Sequence, residues 1–188
     1  MSWQSTITMS ANLQNETSVW RLDREHSSVE FSIKKLLFFT VKGRLTDLEG
    51  AIQLDENSVT GSSVQATIKA KSINTGNQQR DRQLRTNAFL DVVNFPQIEF
   101  RSVEVGPGRD RDMLSVKGSL TVRDKTKAVV LNVTEVDRSK SPNGEEVVYY
   151  VGETEIDRFD FGVSGWRGLV GPKLKVVINV QANRRISD

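Results

Sequence analysis

The chain has 188 residues, with 26 Lys plus Arg against 24 Asp plus Glu, for a net charge of +2. That length suits one domain able to bury roughly 70% of its unfolded surface, and the near balance of charge gives nucleic acid no electrostatic footing, so no nucleic-acid partner is expected. The lack of cysteine and the single histidine, His26, exclude disulfides, thiolate metal sites and a His-rich zinc centre.

Ser, Thr, Asn and Gln dominate the first residues, so 1–17 is expected to be a flexible tail ahead of one domain over 18–188. That opening has no basic region and no apolar core of a secretory signal, which leads to the expectation of a cytoplasmic protein. From Trp20 onward the dominant signal is alternation. In "SSVEFSIKK", Val29, Phe31 and Ile33 share one face and Glu30, Ser32 and Lys34 the other. The longest apolar run, Leu36-Leu37-Phe38-Phe39, falls far short of the about 20 residues that a spanning helix needs, so no transmembrane segment is expected. Val64, Ala66, Ile68 and Ala70 alternate with Gln65, Thr67, Lys69 and Lys71. The stretch from Asn74 to Val92 breaks the pattern. Its Gln, Arg and Leu favour helix, and Asn77 or Thr75 is a suitable cap, so one or two short helices are expected over about 77–90. "NFPQIEFRSVEV" returns to alternation with Ile98, Phe100, Val103 and Val105, with a slip near Arg101-Ser102 of the kind a bulge makes. "MLSVKGSLTV", "AVVLNVTEV", "EVVYYVGETEI" and "LKVVINVQA" follow as short strands between Gly, Asn, Pro and Asp turns. The whole reads as an all-β sandwich or barrel.

The aromatic set comprises Phe31, Phe38, Phe39, Phe89, Phe95, Phe100, Phe159, Phe161, Trp20 and Trp166. A filled core and a ligand tunnel have the same composition, so the set alone decides nothing. Arg80, Arg82 and Arg85 with Asp81 make either a solvated helix face or a cationic rim for a phosphate or carboxylate. In "IDRFDFG", strand periodicity puts Ile156, Arg158 and Asp160 on one face and Asp157, Phe159 and Phe161 on the other. Arg158 is then expected in a structural ion pair with Asp81 or Asp160, because a lone buried cation is costly. Glu153, Glu155 and Asp157 read as a solvated strand face rather than a hard-metal site, and no metal is expected. His26 sits in a turn before a strand, and serines adjacent to it in sequence say nothing about geometry, so no catalytic role is assigned to it.

Taken together, the order of these pieces resembles the YceI-like family. The resemblance is carried by "WRLDREHSSVEFSIKKL", "VKGRLTDLEGAIQLDE", "KAKSINTGNQQRDRQLRTNAFLDVVNFPQIEFRSVEV", "VKGSLTVRDKTKAVVLNV" and "IDRFDFGVSGW". The chain departs from the usual pattern at Lys34-Lys35 and Gln83, where many members have histidine, and in the turn near Asp124, where many have glycine. The resemblance implies an antiparallel lipocalin-like eight-stranded β-barrel with a short helical insert. It also implies binding of a long apolar amphiphile, with a bound polyisoprenoid as precedent and links to stress responses. An eight-stranded barrel has room for packed side chains or one slim ligand. The expected tail contacts are Phe31, Ile33, Phe38, Phe89, Phe95, Phe100, Phe161 and Trp166; the expected head-group contacts are Arg80, Arg82, Arg85 and Arg158. No catalytic residue and no cofactor is expected. The expected partners are an isoprenoid, quinone or similar lipid-like molecule and, at most, a second copy in a homodimer. Two rivals stand beside this: a barrel enzyme with Asp81, Arg80, Asp160 and Arg158 as its polar centre, and an interaction module with a filled core.

Overall fold

Alternation becomes strand pairing in the computed structural model, which describes residues 17–36, 38–140, 142 and 144–185. The tail expected over 1–17 lies outside the described residues apart from Thr17, which opens the first strand. In chain order the elements are β1 (Thr17–Leu22), β2 (Ser28–Lys35), β3 (Phe39–Leu45), β4 (Leu48–Asp55), β5 (Ser63–Lys69), β6 (Ile73–Asn74), α1 (Gln78–Leu84), β7 (Gln97–Pro107), β8 (Met113–Val122), β9 (Lys125–Lys140), β10 (Glu145–Asp157) and β11 (Val170–Arg185).

Eight of these close an antiparallel barrel in the order β1-β4-β5-β7-β8-β9-β10-β11, with β1 pairing back to β11 through Arg21–Asn183 and Leu22–Ala182. The long β11 is shared. Its C-terminal part holds β1, while its N-terminal part pairs with β2 from Val170–Lys35 to Asn179–Ser28 and so carries the arm β2-β3-β6. Closure removes the free edges that an open sheet would present. The slip in β7 is a register shift between Ser102 and Glu104. Val103, expected on the inner face, is the extra residue there and is 78% exposed. The shift restores the inward phase for Val105.

The two ends differ. At one, Trp20, Val148 and Ala182 are fully buried and plug the interior. The guanidinium groups of Arg138 and Arg184 lie over the Trp20 ring at 5.2 and 4.7 Å. Glu135 takes both fork bonds of Arg138, and Glu146 pairs with Arg184. At the other end sits α1. Asn77 Oδ1 accepts from the Arg80 N–H, as a capping residue should. The helix stops at Leu84, sooner than expected, because the backbone then turns on Thr86, whose carbonyl takes the N–H groups of Phe89 and Asp91. Asp91 has φ of 49°, a left-handed conformation that ends any helix.

Candidate functional site

The barrel is hollow. It encloses a cavity of about 520 Å³, within the range of small-molecule sites. Its walls are the inward-phase residues of the strands: Val29, Phe31 and Ile33 of β2, Ala66 and Ile68 of β5, Val116 and Leu120 of β8, and Val176 and Ile178 of β11. Apart from Thr154 of β10, polar lining groups gather at the ends. Ser62, Ser63 and Tyr150 stand toward the Trp20 plug; Lys35, Asn77, Gln79, Arg80, Gln83 and Arg158 stand toward α1. Among the described residues no carboxylate lines the cavity.

Glycines shape this wall by omission. A Cβ on Gly43 would lie 2.5 Å from the Phe31 ring, and one on Gly118 would lie 2.5 Å from the Phe100 ring. Each ring occupies the space that a side chain on the neighbouring strand's glycine would take. The rings therefore thicken the wall and leave the middle of the barrel empty.

The α1 end is closed by two loops packed together. Phe89 meets Trp166 edge to face with ring centroids 5.1 Å apart, and the Gly165 N–H donates to Ala88 O. Arg123 ties the β8–β9 turn to both, donating from Nη1 to Phe89 O and Gly162 O. It does so from a left-handed backbone (φ 57°), where glycine would be unstrained.

Of the expected tail contacts, Phe31, Ile33, Phe89, Phe100, Phe161 and Trp166 line the cavity. Phe38 does not: it points into solvent at the β2–β3 turn. Nor does Phe95, which lies outside the wall under the Arg123 guanidinium, 5.7 Å from its ring centroid. Of the expected head-group contacts, Arg80 and Arg158 line the cavity, while Arg82 is an exposed helix residue and Arg85 turns away to donate from Nη2 to Ile73 O.

The two lining arginines differ in what remains free. Arg158 is buried, in a 3-10 turn rather than on a strand, so the face assignment for 156–161 is corrected. The expected ion pair with Asp81 or Asp160 is absent too. Arg158 donates to four backbone carbonyls instead: from Nε to Gly171 O, from Nη1 to Val163 O and Gly165 O, and from Nη2 to Val170 O. Burial pulls its pKa down, opposed by the nearby Asp157 charge. The carbonyls act as the counter-charge that sequence reasoning assigned to a carboxylate. Arg80 gives Nε to Thr75 Oγ1 and Nη2 to Thr75 O, leaving the outer part of its fork unengaged among the described residues. Asp81 is buried and accepts from the Thr75 N–H and hydroxyl, so it braces the helix from outside the cavity.

Sequence reasoning missed Lys35, Asn77, Gln79, Gln83 and Tyr150 as lining residues. Lys35 was findable, since it continues the phase of Phe31 and Ile33. Gln79 and Gln83 stand four apart on one helix face. Burial pushes the Tyr150 phenol up, aided by the Glu135 carboxylate that accepts its hydrogen bond. His26 is exposed and pairs with Asp23, whose carboxyl is partly desolvated but held low by His26 and the Glu25 and His26 N–H groups. Glu155 pairs with Lys173 on the surface, and no group of described residues is disposed to hold a metal. No helix among the described residues is long and apolar enough to cross a membrane.

Residues 20–182 match the model of the YceI-like domain. The chain is 29% identical over 164 residues to protein YceI of Salmonella newport, covering 86% of this chain and 85% of that one. It is 30% identical over 168 residues to a UPF0312 protein of Pectobacterium carotovorum, covering 88% and 86%. Among solved structures, the Campylobacter jejuni YCEI protein superposes with a TM-score of 0.72 at 27% identity, over 81% of this chain and 90% of that one. Burkholderia cenocepacia BcnA shares the fold at a TM-score of 0.75 and 21% identity, over 85% and 98%. So does a Saccharophagus degradans domain described as polyisoprenoid binding, at 0.64 and 16%, over 87% and 97%.

Proposed function

Because the chain belongs to the YceI-like family, we propose that it binds one long apolar amphiphile, a polyisoprenoid or prenyl quinone, inside the barrel and carries it without chemical change. The observation behind this reading is the cavity: hollow and lined along its length almost wholly by apolar side chains, with Thr154 the polar exception between the polar ends. A cavity of that kind has little to offer water, which needs several polar partners to stay. It suits a hydrocarbon chain. Roughly ten buried methylenes give about 8 kcal/mol gross, which association and ordering costs reduce to roughly micromolar binding. The Saccharophagus degradans domain, alike in fold, is a precedent for such a guest.

The head group lies at the α1 end, against Arg80, Gln79 and Gln83. Arg80 has donors to spare there, and Lys35 stands across the mouth. The plugged end offers only two serines and a tyrosine whose hydroxyl already donates to Glu135. The enzyme reading has less behind it: of its proposed centre Arg80 and Arg158 line the cavity, while Asp81 is bonded to Thr75 and Asp160 is exposed. The filled-core rival fits poorly with an open interior.

Native mass spectrometry of the purified protein, followed by organic extraction, tests the reading. A single bound mass that extracts as a prenyl lipid is expected. An empty protein that takes up neither prenyl alcohol nor prenyl quinone would refute it.

A further inference from the structure

Apolar side chains crowd the outside of the barrel at one place. Leu36 is 48% exposed, Phe38 84%, Phe39 65% and Leu169 53%. They sit together: the Leu36 N–H donates to Leu169 O at 2.9 Å, and Phe39 pairs with Lys35, which pairs with Val170. The patch also adjoins the cavity, because Lys35, Val170 and Trp166 line the interior one or a few residues away. Single exposed leucines need no explanation, but two nearly bare phenylalanines on one tip do.

The charge around the tip is predominantly positive, the exposed Asp160 beside Phe159 being a nearby acid. Residues 31–46 contain Lys34, Lys35, Lys42 and Arg44 and no acid; residues 161–175 contain Arg167, Lys173 and Lys175 and no acid. Among the described residues, no carboxylate lies within ion-pair reach of Lys34, Lys35 or Arg167. Lys34 donates to Thr40 Oγ1, and Arg167 lies over the Phe159 ring. Aromatic and aliphatic side chains ringed by unpaired cations suit an interface where hydrocarbon lies beneath a negative surface.

We propose that this tip, Leu36, Phe38, Phe39 and Leu169 with Lys34, Lys35 and Arg167, docks the protein on an anionic lipid bilayer with the α1 end of the cavity facing the membrane. The rings enter the headgroup layer, and the lysines and arginine meet lipid phosphates. Docking places the mouth against the phase in which an amphiphile dissolves. The amphiphile then moves from bilayer to barrel with less of its tail exposed to water. The docking surface rests on its own observations; the transfer it serves rests on the carrier reading.

Co-sedimentation with vesicles tests it, using phosphatidylcholine alone and phosphatidylcholine with about one-third phosphatidylglycerol. The wild type is expected to bind the anionic vesicles at least tenfold better than the neutral ones, and to release as salt rises. Phe38→Ser with Phe39→Ser removes most of that binding. Lys34→Gln with Lys35→Gln weakens it several-fold for anionic vesicles alone. All four positions are exposed, so thermal melting should be unchanged. Uptake of a short prenyl alcohol added from solution is measured in parallel. Uptake that survives in the serine variant, with vesicle binding lost, separates docking from the cavity. Wild-type protein that takes up the alcohol but ignores both vesicles overturns the docking proposal and spares the carrier reading; the reverse result does the opposite. A dimer that the serine variant dissociates, with no vesicle binding by either protein, would assign the tip to a second copy of the chain and also overturn it.

Discussion

Two arginines on the same wall behave differently because their donors are used differently. Arg158 serves four carbonyls, two in the loop at Val163 and Gly165 and two at the start of β11 at Val170 and Gly171, so it is a staple. Arg158→Met should cost about 3 kcal/mol or more, since each orphaned buried carbonyl loses its partner. The denaturant midpoint reads the loss, and the slope should stay unchanged. Arg80→Ala should leave the midpoint within about 1 kcal/mol, because its side chain is half-exposed and bonded only to Thr75. It should weaken a prenyl diphosphate several-fold and leave the matching alcohol almost untouched, most clearly at low salt. Calorimetric titration of both ligands distinguishes the cases. Equal weakening for alcohol and diphosphate would remove Arg80 from the head site. At the plugged end, Glu135 is held below the usual carboxylate range by its two bonds to Arg138, against some burial, with help from Tyr150. A depressed carboxyl stabilises the fold above its unfolded pKa, and that contribution disappears as pH falls through the folded value. Glu135→Gln should therefore be less stable than wild type at pH 7 by about 1 kcal/mol at most, given its partial exposure. The gap should close as pH falls through the depressed folded value of Glu135.

Strands here differ in what they leave out as much as in what they present. β3 and β8 each place a glycine where an aromatic ring of the next strand lies, Gly43 against Phe31 and Gly118 against Phe100. Gly118→Val would push the Phe100 ring into the barrel. A loss of roughly 1 to 3 kcal/mol is expected from overpacking, with a fall in ligand uptake because the ring occupies the tail's path. Stability loss with full uptake would show that the tail does not pass Phe100. α1 is a short helix held by its ends: the Asn77 cap at the start and the Thr75–Asp81 bonds beside it. Asn77→Ala should cost about 1 kcal/mol. As the helix covers the mouth, faster ligand exchange and faster amide exchange over 78–84 should accompany that loss.

At the scale of the whole molecule, the barrel carries asymmetry along its axis. One end is filled by Trp20, Val148 and Ala182 and sealed by an ion network; the other is covered by α1 and two loops that pack together through Phe89 and Trp166. A ligand therefore has one end by which to enter. The loops at that end are tied by Arg123 and Arg158, so opening belongs to α1 and the β2–β3 tip rather than to the 158–170 loop. A disulfide engineered between the α1 segment and β3 should trap bound lipid and block uptake by the empty protein. Reduction should restore exchange. A crosslinked protein that still loads at the wild-type rate would place the entrance elsewhere.

The inward phases of β2, β5, β8 and β11 were legible in the chain as alternation, because a strand's side chains have a period of two whatever surrounds it. So were the bulge near Ser102, the Asn77 cap and the interruption by α1, since each depends on residues a few positions apart. The inward sides of Phe31, Ile33 and Phe100 followed from the same rule. Phe38 and Phe95 were misplaced because they lie beyond a strand's end, in a turn and a loop, where parity no longer gives direction. Arg82 and Arg85 were misplaced because a helical period does not say which face meets the barrel. Arg158 defeated local reasoning for another reason: its partners, Gly171, Val170, Val163 and Gly165, are backbone carbonyls, which no side-chain pattern advertises. Whether the aromatics fill the barrel or line it was also beyond the sequence. That depends on Gly43 lying across from Phe31, and on Gly118, which pairs with Ser102, lying diagonally beside Phe100, which is a matter of register between strands. Composition is blind to register, and only the closed sheet sets it.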